Sequence, residues 1–388
     1  MPSRLNHPQS PKDLYPTLGY IVVAMVILAA SVLLPMRTIT VPANDFMLIA
    51  WNQGQRLLHH GAVDLTYPYP LWTQILMLPF ALGSPEFGAQ MWFVCSLLLL
   101  AASIVILIDL LNWPIRLSLL VIVTLFVGAF GPVFTTLWIG QLNSVSVLSL
   151  ALLTRALKSR SWMTAGAALG LGLIKPQLTI LASAAIFALA VWERQWKLFA
   201  AFGSVLTLFV GLSIPFAVTP RQIFGGGAVE HLAKYLAHTS TLWGLGFMIV
   251  PDSLWLPALV SCLLTGWLAY TWIDSVRAGR WSEQTPYLIG VTTIVNLLIL
   301  PYSWFYNQAV LILPICCAVD QLRRLDASAR IVWLVVIVLV VYFLPTAVDE
   351  ALTRVYHSEA YQVIPVMCLL PVVVILQWQA ARKFAPVR

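Results

Sequence analysis

The most informative carboxylate in the chain is Asp45, which stands shortly after the first long apolar run and opens a helical pattern. Free amides and the dipole at a helix N-terminus favour an ionised carboxylate there, which either serves as a general base or merely caps the helix. Lys175, in Leu173-Ile174-Lys175-Pro176-Gln177, is a cation among apolar neighbours. At membrane depth such a charge needs a counter-ion or an anionic ligand, and a phosphate suits it, unless the ammonium snorkels to the surface. Gln141 and Asn143 in Gly140-Gln141-Leu142-Asn143 are uncharged amides that bind sugar hydroxyls or tie helices together. Pro301-Tyr302-Ser303-Trp304-Phe305-Tyr306-Asn307 offers aromatic hydrogen bonders that stack on a sugar or form an interfacial belt. Arg221, Glu230, His231, Lys234 and His238 surround three consecutive glycines and either grip a phosphate or form a solvated face.

Several chemistries are absent. The glycines lack the lysine-serine ending of a phosphate loop, and no dinucleotide fingerprint or serine nucleophile at motif spacing occurs, so activated groups must come with the substrate. No cofactor is called for, and no carboxylate or imidazole spacing matches a metal site. The cysteines Cys95, Cys262, Cys316, Cys317 and Cys368 fall in apolar runs and read as small packing residues.

The elements that position these residues are membrane helices. Of 388 residues 60% are hydrophobic and 10% charged, whereas a soluble domain carries about a quarter charged residues. A soluble enzyme is excluded, and the net charge of +7 reflects loop position rather than a nucleic-acid surface. Twelve apolar runs are candidates to cross: 18–34, 90–111, 115–130, 137–157, 162–174, 177–192, 198–218, 254–273, 287–300, 305–319, 331–345 and 363–378. The first ends without a cleavage-like small-residue motif and reads as a retained anchor. With twelve crossings and a cytoplasmic N-terminus, 16 of the 22 lysines and arginines lie inside and 6 outside. Counting 71–82 as a further span inverts that ratio, so this run is expected not to cross. Both termini are then cytoplasmic, and two outer segments of about 35 residues, 35–70 and 219–253, carry the function. In the first, Asn44 is placed to cap an interfacial helix over 45–60, whose apolar stripe is Phe46, Met47, Ala50, Trp51, Leu57 and Leu58. The expectation is one all-α transmembrane domain over 1–388 with no separate soluble part. A transporter or flippase without chemistry is the competing class, although Asp109, Asp274 and Asp320 map to inner helix ends rather than to a mid-membrane relay.

Taken together, Asn44-Asp45-Phe46, Tyr67-Pro68-Tyr69-Pro70-Leu71, Gly140-Gln141-Leu142-Asn143, Ala165-Gly166-Ala167-Ala168-Leu169-Gly170 leading to Lys175-Pro176-Gln177, and Pro301-Tyr302-Ser303-Trp304 resemble glycosyltransferase family 87 of the GT-C superfamily. The resemblance covers about residues 15 to 310 in the expected order. It implies inverting transfer of a hexose, most often mannose, from a polyprenyl phosphate to a lipid or glycan acceptor on the outer face of the cell membrane. It makes Asp45 the catalytic base and Lys175, with Arg221, the partner of the departing phosphate. Asn44, Gln141, Asn143, Gln177, Trp304, Tyr306 and Asn307 become sugar- or acceptor-binding residues. The chain departs from the pattern just after Trp304, where Phe305-Tyr306-Asn307 stands in place of acidic or histidine residues.

Overall fold

The structure, a computed structural model, describes residues 11–36, 44–60, 69–114, 116–217, 219–225, 227, 234–251, 253–353 and 358–382. Arg4, Arg37, Asp64, Tyr67, Pro68, Gly226, Glu230, His231, Arg354, Lys383 and Arg388 lie outside the described residues. Every regular element among the described residues is helical, and each of the twelve apolar runs is carried on helix. A bilayer core of about 30 Å needs about 20 residues of helix. Six helices are long and apolar enough to cross it: Pro85–Leu110, Trp196–Phe216, Trp255–Arg277, Phe305–Leu322, Ala327–Leu352 and Glu359–Gln379. The pair Leu117–Gly128 and Gly131–Ile139, bent by 72°, makes a seventh if it counts as one span.

These helices divide by what surrounds them. Trp196–Phe216, Trp255–Arg277 and Ala327–Leu352 have only 17% of their apolar windows buried and present Leu208, Leu259, Leu263, Val335 and Phe343 outward, as lipid-facing helices do. Asn143–Lys158, Trp281–Ile299 and Ile312–Leu322 are buried on nearly all sides and supply much of the main core. A second, smaller core gathers Phe46, Ala50, Trp72, Met77, Trp92, Leu142, Val145, Ile174 and Phe209. Its members Phe46, Leu142 and Ile174 are the chain neighbours of Asp45, of Gln141 and Asn143, and of Lys175. The candidate site therefore rests on a packed apolar floor.

One sequence expectation changes, and another gains detail. The run 137–157 is not one helix: Gly131–Ile139 ends at Gly140, whose φ of 76° is left-handed, and Asn143–Lys158 starts after a short joint. Gly140 and Gln141 both donate their backbone N–H to Thr136 O, a helix-ending pattern that favours glycine at the left-handed residue. The segment 44–60 is helical with a π-turn at Met47–Trp51, and one side of it packs on protein. Phe46, Ala50 and Leu57 are buried, Trp51 Nε1 donates to Gly83 O at 3.2 Å, and Gln55 Nε2 donates to Ala81 O. Leu58 of the expected stripe is exposed instead. Leu71–Ala81 likewise buries Leu71, Trp72, Thr73, Gln74, Met77 and Ala81, and its 11 residues reach about 16 Å, half of a crossing.

The far end of the bundle collects the charges expected at inner helix ends. Arg155 pairs with Asp109 at 3.2 Å, Arg323 with Asp320 at 3.3 Å, and Trp113 Nε1 donates to Asp320 at 2.7 Å. Lys158 caps the carbonyl of Leu110. Asn143 begins the same helix that ends at Lys158, so the candidate site and this basic end are separated by about 24 Å.

Gly140 also admits the 44–60 helix, because a Cβ placed on it would lie 2.6 Å from Phe46 Cβ. Gly140→Ala is expected to cost about 1–3 kcal/mol and to push the 44–60 helix outward. A lowered melting temperature in detergent is the readout; an unchanged one would mean that the joint is not held as described.

Candidate active site

Three breaks in helix bring the site together. Beyond Gly140 lie Gln141 and Asn143. Lys175 sits in the turn between Trp162–Gly172 and Ile180–Trp192, with φ −138° and ψ 72°, as the following Pro176 disfavours a helical residue before it. Asn307 lies in the 3₁₀ turn Phe305–Leu311 that opens a span. Trp72 Nε1 and Thr73 Oγ1, from Leu71–Ala81, each donate at 2.9 Å to the carbonyls of Leu173 and Ile174, which fixes the Lys175 turn. Trp92 Nε1 does the same for Gly140 O at 3.0 Å.

Lys175 does not snorkel: its side chain is 1% exposed. Nζ donates to Gln141 Oε1 at 2.9 Å, Asn143 Oδ1 at 2.6 Å and Asn307 Oδ1 at 2.7 Å. The rings of Tyr306 and Tyr69 lie 5.1 and 5.9 Å from the ammonium, within cation–π range. Each amide then turns its NH₂ group away. Gln141 Nε2 donates to Asp45 Oδ2, Asn143 Nδ2 to Thr136 Oγ1 at 2.9 Å and Tyr306 O at 2.7 Å, and Asn307 Nδ2 to Ser303 Oγ at 3.2 Å. Tyr306 and Asn307, at the departure from the family pattern, are thus built into the polar cluster.

Burial acts on both charges. It raises the half-buried Asp45 carboxyl above its usual range, against the opposing Gln141 hydrogen bond and the attraction of Lys175. The helix-end argument alone had predicted the opposite direction, and desolvation outweighs it here. The Lys175 ammonium is pushed down to about 7 by burial, opposed by Asp45. The hydroxyl of Tyr302 is pushed up to about 12 by burial and that of Tyr69 is raised as well, so both keep their protons.

The remaining sequence candidates sit around this cluster. Asn44 is exposed at the first turn of its helix, next to Asp45. Gln177 takes part through its backbone carbonyl, which accepts from Asn296 Nδ2 at 2.9 Å. Trp304 Nε1 donates to Tyr302 at 2.6 Å, and its ring meets Tyr235, beside which Lys234 lies 5.0 Å from the ring centre. Arg221 is exposed on the short helix Pro220–Ile223, whose neighbour Phe224 packs edge-on against Trp72. Sequence reasoning missed Thr136, Trp72, Thr73, Trp92 and Asn296, which hold the breaks rather than face outward and carry no motif. Among the described residues no three His, Cys, Asp or Glu side chains converge to hold a metal ion.

A bundle of apolar helices with a carboxylate, a buried ammonium and several amides at one end defines a polytopic membrane protein with the groups for acid–base chemistry. The chain belongs to glycosyltransferase family 87, whose family model matches residues 67–301, and it is a membrane glycosyltransferase. The match takes in Gln141, Asn143, Lys175, Gln177 and Arg221, whereas Asp45 and 304–307 flank it. No curated protein matches the chain significantly.

Thr73→Val removes one of the side-chain anchors of the Lys175 turn, leaving Trp72 and Asn296. We expect a loss of about 1 kcal/mol, close to that of one hydrogen bond, together with reduced transfer. Wild-type stability and activity in this variant would show that the remaining anchors suffice.

Proposed function

We propose that the enzyme moves a hexose, mannose first among the candidates, from a polyprenyl phosphate to a hydroxyl of a lipid or glycan acceptor on the outer face of the cell membrane, with inversion. One observation carries the reading: Asp45 is a carboxylate of raised basicity held by Gln141 at the surface end of the polar cluster. Oδ2 is occupied by Gln141, and Oδ1 takes the acceptor proton. As that proton leaves, the acceptor oxygen attacks the anomeric carbon from the side opposite the phosphate. The bond from anomeric carbon to phosphate oxygen breaks, and the polyprenyl phosphate departs with the electron pair. Arg221 is the exposed cation that we assign to the phosphate, while Asn44, Trp304 and Tyr306 line the approach of sugar and acceptor. Support for the lipid tail comes from an apolar cavity of about 470 Å³ between Ile180–Trp192 and Trp255–Arg277, with Leu181 at its end nearer Lys175.

Asp45→Asn keeps an acceptor for Gln141 but has no basic oxygen for the proton. Label transfer from a panel of polyprenyl-phosphate hexoses should fall by about 10²–10⁴ with the melting temperature unchanged. Undiminished turnover in that variant would remove Asp45 from the mechanism.

The pH dependence follows from the two shifted groups. Activity requires Asp45 ionised, so the acid limb of kcat/KM lies above the ordinary carboxylate range. It falls again as Lys175 loses its proton, near 7, because a neutral amine has two N–H groups for three amide oxygens. Tyr69 and Tyr302 face the same carboxylate but titrate far higher, and among the described residues Glu359 is a further carboxylate in electrostatic reach. A bell-shaped profile is expected; a flat one from pH 5 to 8 would contradict the assignment.

A further inference from the structure

We infer that Lys175 is a positioning residue for Asp45 rather than a ligand of the donor phosphate: its ammonium fixes the Gln141 amide, and that amide holds the carboxylate. The inference rests on Asp45 being the base. An ammonium has three N–H donors and no acceptor. All three are given to amide oxygens at 2.6–2.9 Å, and the Tyr69 and Tyr306 rings stand over the same group. A phosphate oxygen reaches Nζ only by displacing one of those amides.

The arrangement also has a direction. Gln141 carries one acceptor oxygen and one NH₂ group on the same carbon. With the oxygen on Lys175, the NH₂ must face Asp45. The flipped amide would set NH₂ against an ammonium and oxygen against a carboxylate, which is repulsive at both ends. The cation and the base thus select the same orientation of Gln141, and that bond fixes where Oδ1 points. Asn143 and Asn307 are oriented by the same ammonium, so the Gly140 joint, the Pro176 turn and the Phe305 turn are locked into one register. Exposed Arg221 and Lys234 leave the donor phosphate other cations at the surface.

A double-mutant cycle decides it, using mannosyl-phosphoryl polyprenol of short chain as the donor probe. Lys175→Met and Gln141→Met should each lower kcat by about 10²-fold, the cost of a slightly misplaced reacting group, with donor KM within about twofold. The double variant should lose no more than about the worse single one, since both remove the same link. A tenfold rise in donor KM for Lys175→Met with kcat retained would assign Lys175 to the phosphate. Losses that multiply to about 10⁴ would overturn the shared path. If Lys175→Met does not fold, Gln141→Met alone is decisive: retained kcat overturns the relay, and lost kcat at constant KM supports it. Asp45→Asn runs alongside. Full activity there removes the base itself, whereas inactivity there with an active Gln141→Met removes only the relay.

Discussion

A buried ammonium must place every one of its protons on an acceptor, and in a helical membrane protein the backbone has almost none to spare. Taking an ion out of water costs several kcal/mol even after relaxation, and the cost is offset only when its donors are satisfied. Lys175 meets this demand with three side-chain amides from two distant parts of the chain, Gln141 and Asn143 at one joint and Asn307 at another. None of the three could reach Nζ from the middle of an uninterrupted helix packed on its neighbours. The left-handed residue at Gly140, the proline after Lys175 and the 3₁₀ turn at Phe305–Leu311 are the local features that release these side chains from the helix walls. The indoles of Trp72 and Trp92 and the hydroxyl of Thr73 then occupy carbonyls that those breaks leave without helical partners.

This is also why the site was only partly legible in the sequence. Asp45, Lys175, Gln141, Asn143 and Asn307 stand out because polar side chains are scarce amid apolar runs, and all five meet in one cluster. Their pairing was not legible. A lysine next to a proline reads equally as a phosphate ligand, a snorkelling cation or a buried centre, and only the three-dimensional approach of the amides separates these. The break at Gly140 was hidden because its flanks are apolar and Gly is tolerated within such runs. The 44–60 stripe was legible as a helix, but amphipathicity alone does not say whether its apolar face meets lipid or protein. Here Phe46 lies where only a glycine at 140 leaves space, so that part of the stripe packs on protein.

The basicity of Asp45 is a balance of three effects that sequence cannot weigh. The helix N-terminus, Gln141 and Lys175 favour the carboxylate, while partial burial opposes it and prevails. By linkage, a raised carboxyl binds its proton more tightly in the folded than in the unfolded state, so this group favours folding below pH 3.8 and loses that contribution as pH rises through its folded value. Lys175 works oppositely. Its lowered value costs stability that builds up as pH falls from 10.5 to about 7 and is full below that. Both groups are held at a cost in stability near neutral pH, and the surrounding apolar cores must exceed it.

The two ends of the bundle handle charge by different means. At the far end Arg155, Asp109, Arg323 and Asp320 form partly exposed pairs that water can replace, and such pairs contribute little each. At the site end one cation is enclosed, and its hydrogen-bonded link to the Asp45 carboxylate runs through a neutral amide. A direct Lys–Asp contact would hold the carboxylate ionised but weaken it as a base, because the proton it accepts would have to compete with an adjacent ammonium. An intervening amide keeps the geometry of the pair while increasing the separation of the charges, and the attraction falls with that distance. The same amide engages one oxygen of the carboxylate and makes no bond to the other.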